Sequence, residues 1–292
     1  MTTKMSPAFG ELLPPATAAP ECFLRIEPKK GLFSLDLSDV WAFRELLYFL
    51  VWRDVSVRYK QTIIGVAWAI LQPVLTMLIF TIVFGHFVAI PSDGVPYSIF
   101  IFAALLPWNC FSQAISRSGV SLVSDSNLVK KVYFPRLIIP LAGVASPLVD
   151  LLVSFLVLLA MMAWFRLPLR SSMLALPLLL LVGLLASLAA GLWLAPLNAK
   201  YRDIGHAIPF LTQFLMFASP VAYPLSIIPK KWRLIYGLNP LVGVIEGFRW
   251  ALLGKAAPDF TVIALSVVIV LVMLLSGIVF FKWMERSFSD VL

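Results

Sequence analysis

The sequence predicts an all-α membrane protein with six transmembrane helices. Of its 292 residues, 61% are hydrophobic and only 13% are charged, and the mean hydropathy is +0.94. A soluble chain is nearer half apolar and a quarter charged. The apolar residues also form long blocks, and about 20 helical residues cross a bilayer core. This composition excludes an ordinary soluble domain and leaves too few residues for a soluble catalytic domain.

The spans are predicted from the gaps between charged residues, because Asp, Glu, Lys and Arg are costly at the bilayer centre. The predicted spans are residues 62–84, 97–116, 136–166, 170–200, 204–223 and 259–282. Only Asp150 interrupts a span deeply, and its role stays open: it lines a dimer interface, bonds to a neighbouring helix or relays protons. A lone carboxylate is a poor proton relay, which favours a structural role.

The distribution of basic residues predicts that both termini are cytoplasmic. Sixteen Lys and Arg residues lie before the first span or in segments on the same side of the membrane as the N-terminus, and seven lie in segments on the opposite side. The net charge of +8 is therefore mainly a topology signal, and it does not indicate nucleic-acid binding. Residues 1–38 are predicted to be a disordered cytoplasmic tail without a cleaved leader. The outer segment 224–259 is unusually basic and too long for a simple turn.

An amphipathic helix is predicted at residues 39–60, directly before the first span. Its apolar residues recur at helical spacing, and its charged residues lie largely on the opposite face. The pattern is typical of a helix in the cytoplasmic membrane interface, where Trp41, Tyr48 and Trp52 suit the headgroup depth. Asp54 and Arg58 are four residues apart and are predicted to pair. The helix is a membrane anchor, a contact for a cytoplasmic partner, or both.

The loop between the second and third spans reads SDSNLVKKVYFPR and predicts a short helix at about residues 124–134. Asp125 or Ser126 is expected to cap its start, and Pro135 is expected to force its end. Lys130 and Lys131 lie towards its C-terminal end, where positive charge suits the helix dipole. Such a helix is suited to receive force from a soluble domain. The alternative is a solvated loop whose lysines only set the topology.

Five separated motifs resemble the membrane subunit of bacterial ABC exporters for surface polysaccharides. The motifs are VWRDVSVRYKQTIIGVAWAILQP (51–73), NLVKKVYFPR (127–136), LNAKYRDI (197–204), SPVAYP (219–224) and NPLVGVIEGFRWALLG (239–254). They occur in order over residues 40–290 and look most like the O-antigen permeases. Capsule and teichoic-acid permeases are near relatives, and the sequence does not distinguish between these substrates.

The resemblance implies a homodimer that binds two copies of a separate cytoplasmic ATPase. The interfacial helix at 39–60 and a coupling helix at 124–134 would dock on that ATPase. The residues expected to make this contact are Arg44, Arg53, Asp125, Asn127, Lys130 and Lys131. The segment 229–254 would form two short re-entrant helices on the periplasmic side, named here the gate helices. Their expected residues are Asn239, a helix cap, and Glu246 and Arg249, which lie one turn apart.

The resemblance also implies export of an undecaprenyl-linked polysaccharide, O-antigen above all, across the bacterial inner membrane. Its pyrophosphate would be attracted by basic residues near the cytoplasmic surface, namely Arg53, Arg58 and Lys60. A conduit for sugar rings would use aromatic residues, and the candidates are Trp68, Trp108, Phe111, Phe214, Phe217 and Tyr223. Most aromatic residues in spans face lipid or pack between helices, so a structural role is the alternative for each.

The sequence shows no nucleotide-binding motif. No G-x-x-x-x-G-K-[ST] occurs, because Gly254 and Lys255 lack the upstream glycine and the following hydroxyl. ATP and Mg²⁺ are therefore assigned to the partner ATPase, and no catalytic residue, cofactor or metal is expected in this chain. A membrane glycosyltransferase is disfavoured because no D-x-D occurs and because His86 and His206 lie on opposite sides of the predicted membrane. The other alternative is a secondary carrier that flips a lipid-linked oligosaccharide without an ATPase.

Overall fold

The computed structural model describes residues 37–60, 67–254, 260–286 and 288, and every regular element in these ranges is a helix. The all-α fold class is thus confirmed for this part of the chain. The predicted tail at 1–38 lies outside the described residues except for its last two positions, and so does the predicted start of the first span at 62–66.

The described residues form twelve α-helices. They are α1 (Leu37–Ala42), α2 (Arg44–Lys60), α3 (Ala67–Phe80), α4 (Tyr97–Ser124), α5 (Ser126–Lys131), α6 (Ile138–Ala145), α7 (Leu148–Trp164), α8 (Leu176–Lys200), α9 (Ile204–Phe217), α10 (Lys230–Tyr236), α11 (Pro240–Leu253) and α12 (Phe260–Glu285). A π-helix (Thr81–Phe87) continues α3, and 3₁₀ helices precede α8 (Ser171–Ala175) and α10 (Leu225–Ile227).

The long helices run between two ends of the molecule. At the first, named the α2 end, α2 lies with the C-termini of α4 and α12, and Arg136 Nη1 donates to the Glu285 carbonyl at 2.8 Å. At the second, named the α11 end, α10 and α11 lie with the N-terminus of α4, and Ser172 Oγ donates to the Ala251 carbonyl at 2.8 Å. The two groups of predicted site residues lie at these two ends.

Within the described residues, five helical segments are long and apolar enough to cross a membrane: Ala67–Phe87, Tyr97–Ser124, Ile138–Trp164, Ser171–Lys200 and Phe260–Glu285. The predicted span at 204–223 corresponds to α9, which has 14 residues. Its length of about 21 Å is less than the roughly 30 Å hydrocarbon core. Ile208 of α9 nevertheless lies against Gly119 towards the α2 end, and Ala222 accepts a hydrogen bond from Tyr97 at the α11 end. This segment therefore connects the two ends, and the count of six membrane-crossing helices stays a prediction.

Three spans differ in shape from the sequence-based expectation. The third is broken between α6 and α7 at residues 146–147, because Pro147 has no N–H to continue the helix. The first ends in the π-helix, where a Cβ on Gly85 would stand 2.8 Å from Cδ1 of the Tyr97 ring. The second continues to residue 124 instead of 116, so that α4, with 28 residues, is about 42 Å long.

Helix α4 lies at the centre of the described bundle and packs against α6, α7, α8 and α11. At its Ser118, helices α4, α6 and α8 approach one another closely. A Cβ on Gly143 of α6 would stand 2.8 Å from the Ser118 backbone nitrogen, and one on Gly191 of α8 would stand 2.3 Å from Ser118 Oγ. Small residues permit this close packing, which is typical of helices in membranes.

The predicted interfacial helix differs from the expectation in two respects. It is broken at Phe43 into α1 and α2. Its apolar stripe, which includes the buried Leu50, packs mainly against α6 and belongs to a hydrophobic cluster with residues of α4, α8 and α12. The apolar residues of α2 are covered by other parts of the protein because these helices have their ends beside α2. Trp41, Tyr48 and Trp52 remain exposed, as a headgroup position requires.

Candidate functional site

A charged cluster at the α2 end connects α2 to the start of α5. Arg53 of α2 donates from Nη1 to Asp125 Oδ1 at 2.7 Å and from Nη2 to Asp125 Oδ2 at 3.0 Å. The same guanidinium donates from Nε and Nη2 to Asp54 Oδ1 at 3.1 and 2.9 Å. The hydrogen bond to Asp125 raises the pKa of Arg53 above its ordinary value in spite of desolvation. Arg53 is thus a permanent cation that joins α2 to residue 125.

Helix α5, at the position predicted for the coupling helix, is shorter than predicted and begins differently. Helix α5 has six residues, and Val132 after it is already extended, so that the chain leaves the helix before Pro135. Asp125 occupies the N-cap position, but its side chain makes no capping hydrogen bond. The capping prediction is wrong, because both carboxylate oxygens accept charge-assisted hydrogen bonds from Arg53, which are stronger than a bond to a neutral N–H.

Helix α5 presents an exposed basic surface at the α2 end. Leu128 and Val129 anchor the helix by packing against the cluster that also holds α2. The outward-facing residues are Asn127, Lys130, Lys131, Val132 and Tyr133. This surface combines positive charge with an apolar edge, and such a combination suits a protein partner.

Two further residues predicted for the α2 end, Arg44 and Lys60, are also exposed. Arg44 Cζ lies 5.6 Å from the centroid of the Trp41 ring, and Lys60 lies at the end of α2. Of the six predicted coupling residues, Arg53 and Asp125 contact each other, and the other four face outwards. Four of the predicted residues therefore form an exposed surface, and the other two form a contact within the protein.

Asp150 has partners from the interfacial helix. Arg58 Nη1 forms an ion pair with Asp150 Oδ2, and the Tyr59 hydroxyl donates to Asp150 Oδ1. The predicted pairing of Asp54 with Arg58 is wrong, because Asp54 contacts Arg53 and Arg58 turns towards α7. These contacts support the structural role considered for Asp150.

Helices are present at both positions predicted for the gate helices, as α10 and α11. Asn239 caps α11, since its Oδ1 accepts from the Leu241 N–H at 3.1 Å, and this capping prediction is confirmed. Its Nδ2 also donates to the Ala218 carbonyl at 3.2 Å and to Ser219 Oγ at 2.8 Å. One side chain thus starts α11 and holds the loop that follows α9.

Arg249 of α11 is buried, with 5% exposure, and holds the same loop from another side. Its Nη1 donates to the Tyr223 carbonyl and to Glu246 Oε1, both at 3.1 Å, and its Nη2 donates to the Val221 carbonyl at 2.6 Å. Its Cζ lies 3.7 Å from the centroid of the Phe100 ring. The predicted pair with Glu246 is confirmed, and the ring supplies a cation–π contact.

Residues that the sequence did not indicate complete the α11 end. The Tyr97 hydroxyl donates to the Ala222 carbonyl at 2.6 Å, and the hydroxyls of Tyr223 and Tyr236 form a hydrogen bond. Tyr97 and Phe100 resemble any other aromatic residues at the start of a span. Only the SPVAYP motif indicated that this loop has a special role. The loop 218–225 is consequently fixed by α4, α10 and α11 together.

The predicted channel aromatics divide into two groups. Trp108 and Phe111 are 4% and 5% exposed, and their ring centroids lie 6.0 Å apart within the core. They therefore offer no face to a passing glycan in this conformation, and their placement does not fit the channel prediction. Trp68, Phe214 and Phe217 are 52%, 59% and 62% exposed. The half-buried Tyr223 holds the loop at the α11 end.

These features define a multi-pass, all-helical membrane protein with polar clusters at both ends of its bundle. Residues 45–253 match the ABC-2 type transporter family, and the chain belongs to that family.

Three relatives align over most of the chain. The O-antigen export system permease protein RfbA of Myxococcus xanthus is 29% identical over 257 residues, which cover 86% of this chain and 97% of that protein. A protein with the same name from Klebsiella pneumoniae is 24% identical over 249 residues, which cover 85% and 95%. The polysialic acid transport protein KpsM of Escherichia coli is 26% identical over 240 residues, which cover 80% and 92%. The similarity thus extends over nearly the whole length of each relative.

Proposed function

We propose that this protein is the membrane subunit of an ATP-driven exporter that moves an undecaprenyl-linked polysaccharide across the bacterial inner membrane. Relatives named for O-antigen export and for polysialic acid transport both align over at least 80% of the chain. A polysaccharide is the substrate class that these relatives share. O-antigen is the substrate we favour, because the relatives named for it align over more of the chain, and a capsule or teichoic-acid polymer is the alternative.

The observation that carries the proposal is the exposed surface of α5 together with its attachment to α2. A homodimer with two copies of a cytoplasmic ATPase would present two such surfaces, one to each ATPase subunit. Arg53 binds Asp125 through two hydrogen bonds, so a displacement of α5 reaches α2 as well. This arrangement is suited to pass force from the ATPase to the spans.

Helix α4 provides a continuous connection between the coupling helix and the gate helices. Its C-terminal residue Ser124 directly precedes Asp125, and its first turn carries Tyr97 and Phe100. Phe100 lies under Arg249, and Tyr97 binds the loop at the α11 end. A shift of α4 along its axis would therefore move α11 and this loop together, which would open or close the periplasmic exit.

The first test is the native mass of the complex purified in mild detergent from its own host. Two copies of this 32.4 kDa chain with two ATPase subunits would support the proposal. A single chain or a homodimer that reproducibly lacks an ATPase would favour the secondary carrier. A neighbouring reading frame that encodes a Walker-type ATPase would also support the proposal.

A second test addresses the surface of α5. The double variant Lys130→Glu/Lys131→Glu is expected to reduce surface glycan and substrate-dependent ATP hydrolysis while leaving the protein folded. The matched control is Lys200→Glu/Arg202→Glu, which reverses two exposed charges at the same end outside α5. Normal surface glycan in the α5 variant would contradict the coupling role.

A further inference from the structure

Two arginines at the α2 end, Arg58 and Arg117, make contacts that the coupling role does not explain. Arg58 pairs with Asp150 and donates from Nη1 to Gln113 Oε1 at 3.3 Å. Arg117 donates from Nη1 to Ser146 Oγ at 3.3 Å. Gln113 and Arg117 lie four residues apart on α4, so they share one face of that helix. Both guanidinium groups therefore lie between α4 and the break that separates α6 from α7.

Most donors of these two guanidinium groups have no acceptor in the described part of the chain. Arg58 Nε and Nη2 are buried without a hydrogen-bond partner there, although buried polar groups are normally hydrogen-bonded. Arg117 has several N–H donors and makes one hydrogen bond to a described residue, the bond to Ser146. The segment 61–66 that follows α2 contains no acidic residue. Among the described residues, the cluster thus lacks acceptors that an anion would supply.

The neighbouring carboxylates are already engaged. Asp150 accepts from Arg58 and from Tyr59. The Oδ1 atom of Asp54 already accepts two hydrogen bonds from Arg53. Arg58 therefore uses the carboxylate of Asp150, and Arg117 has no hydrogen-bonded counter-ion among the described residues.

The cluster lies at the depth of lipid headgroups. Helix α4 begins at Tyr97, a residue type that concentrates at membrane interfaces. About 20 residues cross the hydrocarbon core, so a core that begins at Tyr97 ends immediately before Arg117. Arg58 lies at the same level, because both arginines are near Asp150 or its neighbour Ser146. Side chains at this depth meet the phosphates of the predicted cytoplasmic leaflet.

We infer that Arg58 and Arg117 form a binding site for the phosphate-bearing headgroup of a membrane lipid. Guanidinium groups bind phosphate oxygens through paired N–H donors, and a phosphate would supply the missing acceptors. The inference rests on the proposed function, in which the cargo carries a lipid diphosphate into this leaflet. Arg117 takes the place predicted for Arg53, whose donors are used by Asp54 and Asp125. Asp150 is a positioning residue that holds Arg58 beside α4.

The experiment measures lipid binding to the full-length protein in phosphatidylcholine nanodiscs. The probes are farnesyl diphosphate and phosphatidylglycerol. Arg117→Gln is expected to weaken binding about tenfold, because paired N–H donors and a charge are lost. Arg117→Lys, which keeps the charge without paired donors, is expected to recover part of the affinity. Arg202→Gln, which removes an exposed charge at the same end, is the matched control and should bind as the wild type does.

The two probes distinguish the sources of the phosphate. If farnesyl diphosphate binds more tightly than phosphatidylglycerol, the site is assigned to the carrier lipid. If the two probes bind equally, the site is assigned to an ordinary phospholipid. Either result supports the site when Arg117→Gln weakens the binding of the probe. Unchanged binding in folded Arg117→Gln overturns the inference. If that variant does not fold, Arg58→Gln/Asp150→Asn, which removes the ion pair as a unit, repeats the test with the same expected loss. A failure here leaves the native mass of the ATPase complex unaffected, whereas a missing ATPase contradicts the proposed function whatever the lipid result.

Discussion

Arg53 and Asp125 lie 72 positions apart in the sequence, and their side chains form a two-point contact between α2 and the start of α5. The sequence predicts both residues as contacts for an ATPase. In the structure they hold each other, so that the surface for a partner is left to Asn127, Lys130 and Lys131. The contact ties α2 to the residue that directly precedes α5.

Exchanging the charges of this pair tests that conclusion. Arg53→Asp and Asp125→Arg are each expected to reduce glycan export, because each leaves like charges facing one another. The double variant is expected to recover export, with a coupling free energy of about 1 kcal/mol in a double-mutant cycle of stability. Surface glycan is measured by electrophoresis, and unfolding is measured in detergent. A double variant as impaired as the worse single variant would refute the linkage.

Arg249 is expected to be critical for stability at the α11 end. Arg249→Met leaves Glu246 without its charge partner and removes the donors to two carbonyls, so the loss is expected to be about 3–5 kcal/mol. The measurement is the temperature at which the detergent-solubilised protein loses its monodisperse elution peak. Arg233→Met is the control: its guanidinium donates to the Ile228 carbonyl at 3.0 Å, and the loss is expected to be about 1 kcal/mol. Equal losses in the two variants would be inconsistent with this account.

The close approach of α4 and α6 is expected to depend on Gly143. A methyl group there would stand 2.8 Å from the Ser118 backbone, which cannot rotate away, whereas one on Gly183 would meet Val244 Cγ1 at an ordinary 3.5 Å. Gly143→Ala is therefore expected to cost about 1–3 kcal/mol, and Gly183→Ala is expected to be nearly neutral. Thermal unfolding of the two variants decides the matter, and similar midpoints would exclude a steric role for Ser118.

The two groups of channel aromatics are expected to respond differently to truncation. Trp108→Ala removes a buried core side chain and is expected to cost about 3–5 kcal/mol of stability. Phe217→Ala should leave stability unchanged and reduce export if the exposed face of α9 meets the glycan. Leu178→Ala, which truncates an exposed residue of α8, is the control. Full export by a stable Phe217→Ala would remove Phe217 from the channel.

The features that the sequence predicted correctly depend on local signals. The gaps between charges located five helices of membrane-crossing length, since a charge is costly in lipid wherever the rest of the fold lies. The start of α11 followed from Asn239 before Pro240, and the pair of Glu246 and Arg249 followed from their spacing of one turn. Each of these signals is contained within one helix and its flanking residues.

Only the tertiary structure decided which partner each charged or aromatic side chain takes. Asp54 had Arg58 within reach on its own helix, and Asp125 had a backbone N–H to cap, but Arg53 lay between them and bound both carboxylates. Trp108 is an aromatic residue of the type predicted to line the channel, but the neighbouring helices enclose its side chain. The sequence by itself determined the helical class, the order of the apolar segments and the start of α11, because these follow from hydrophobicity and from neighbours along the chain. The pairings depend on residues that are distant in sequence, whose positions are set by the packing of α2 and α4 against the rest of the bundle.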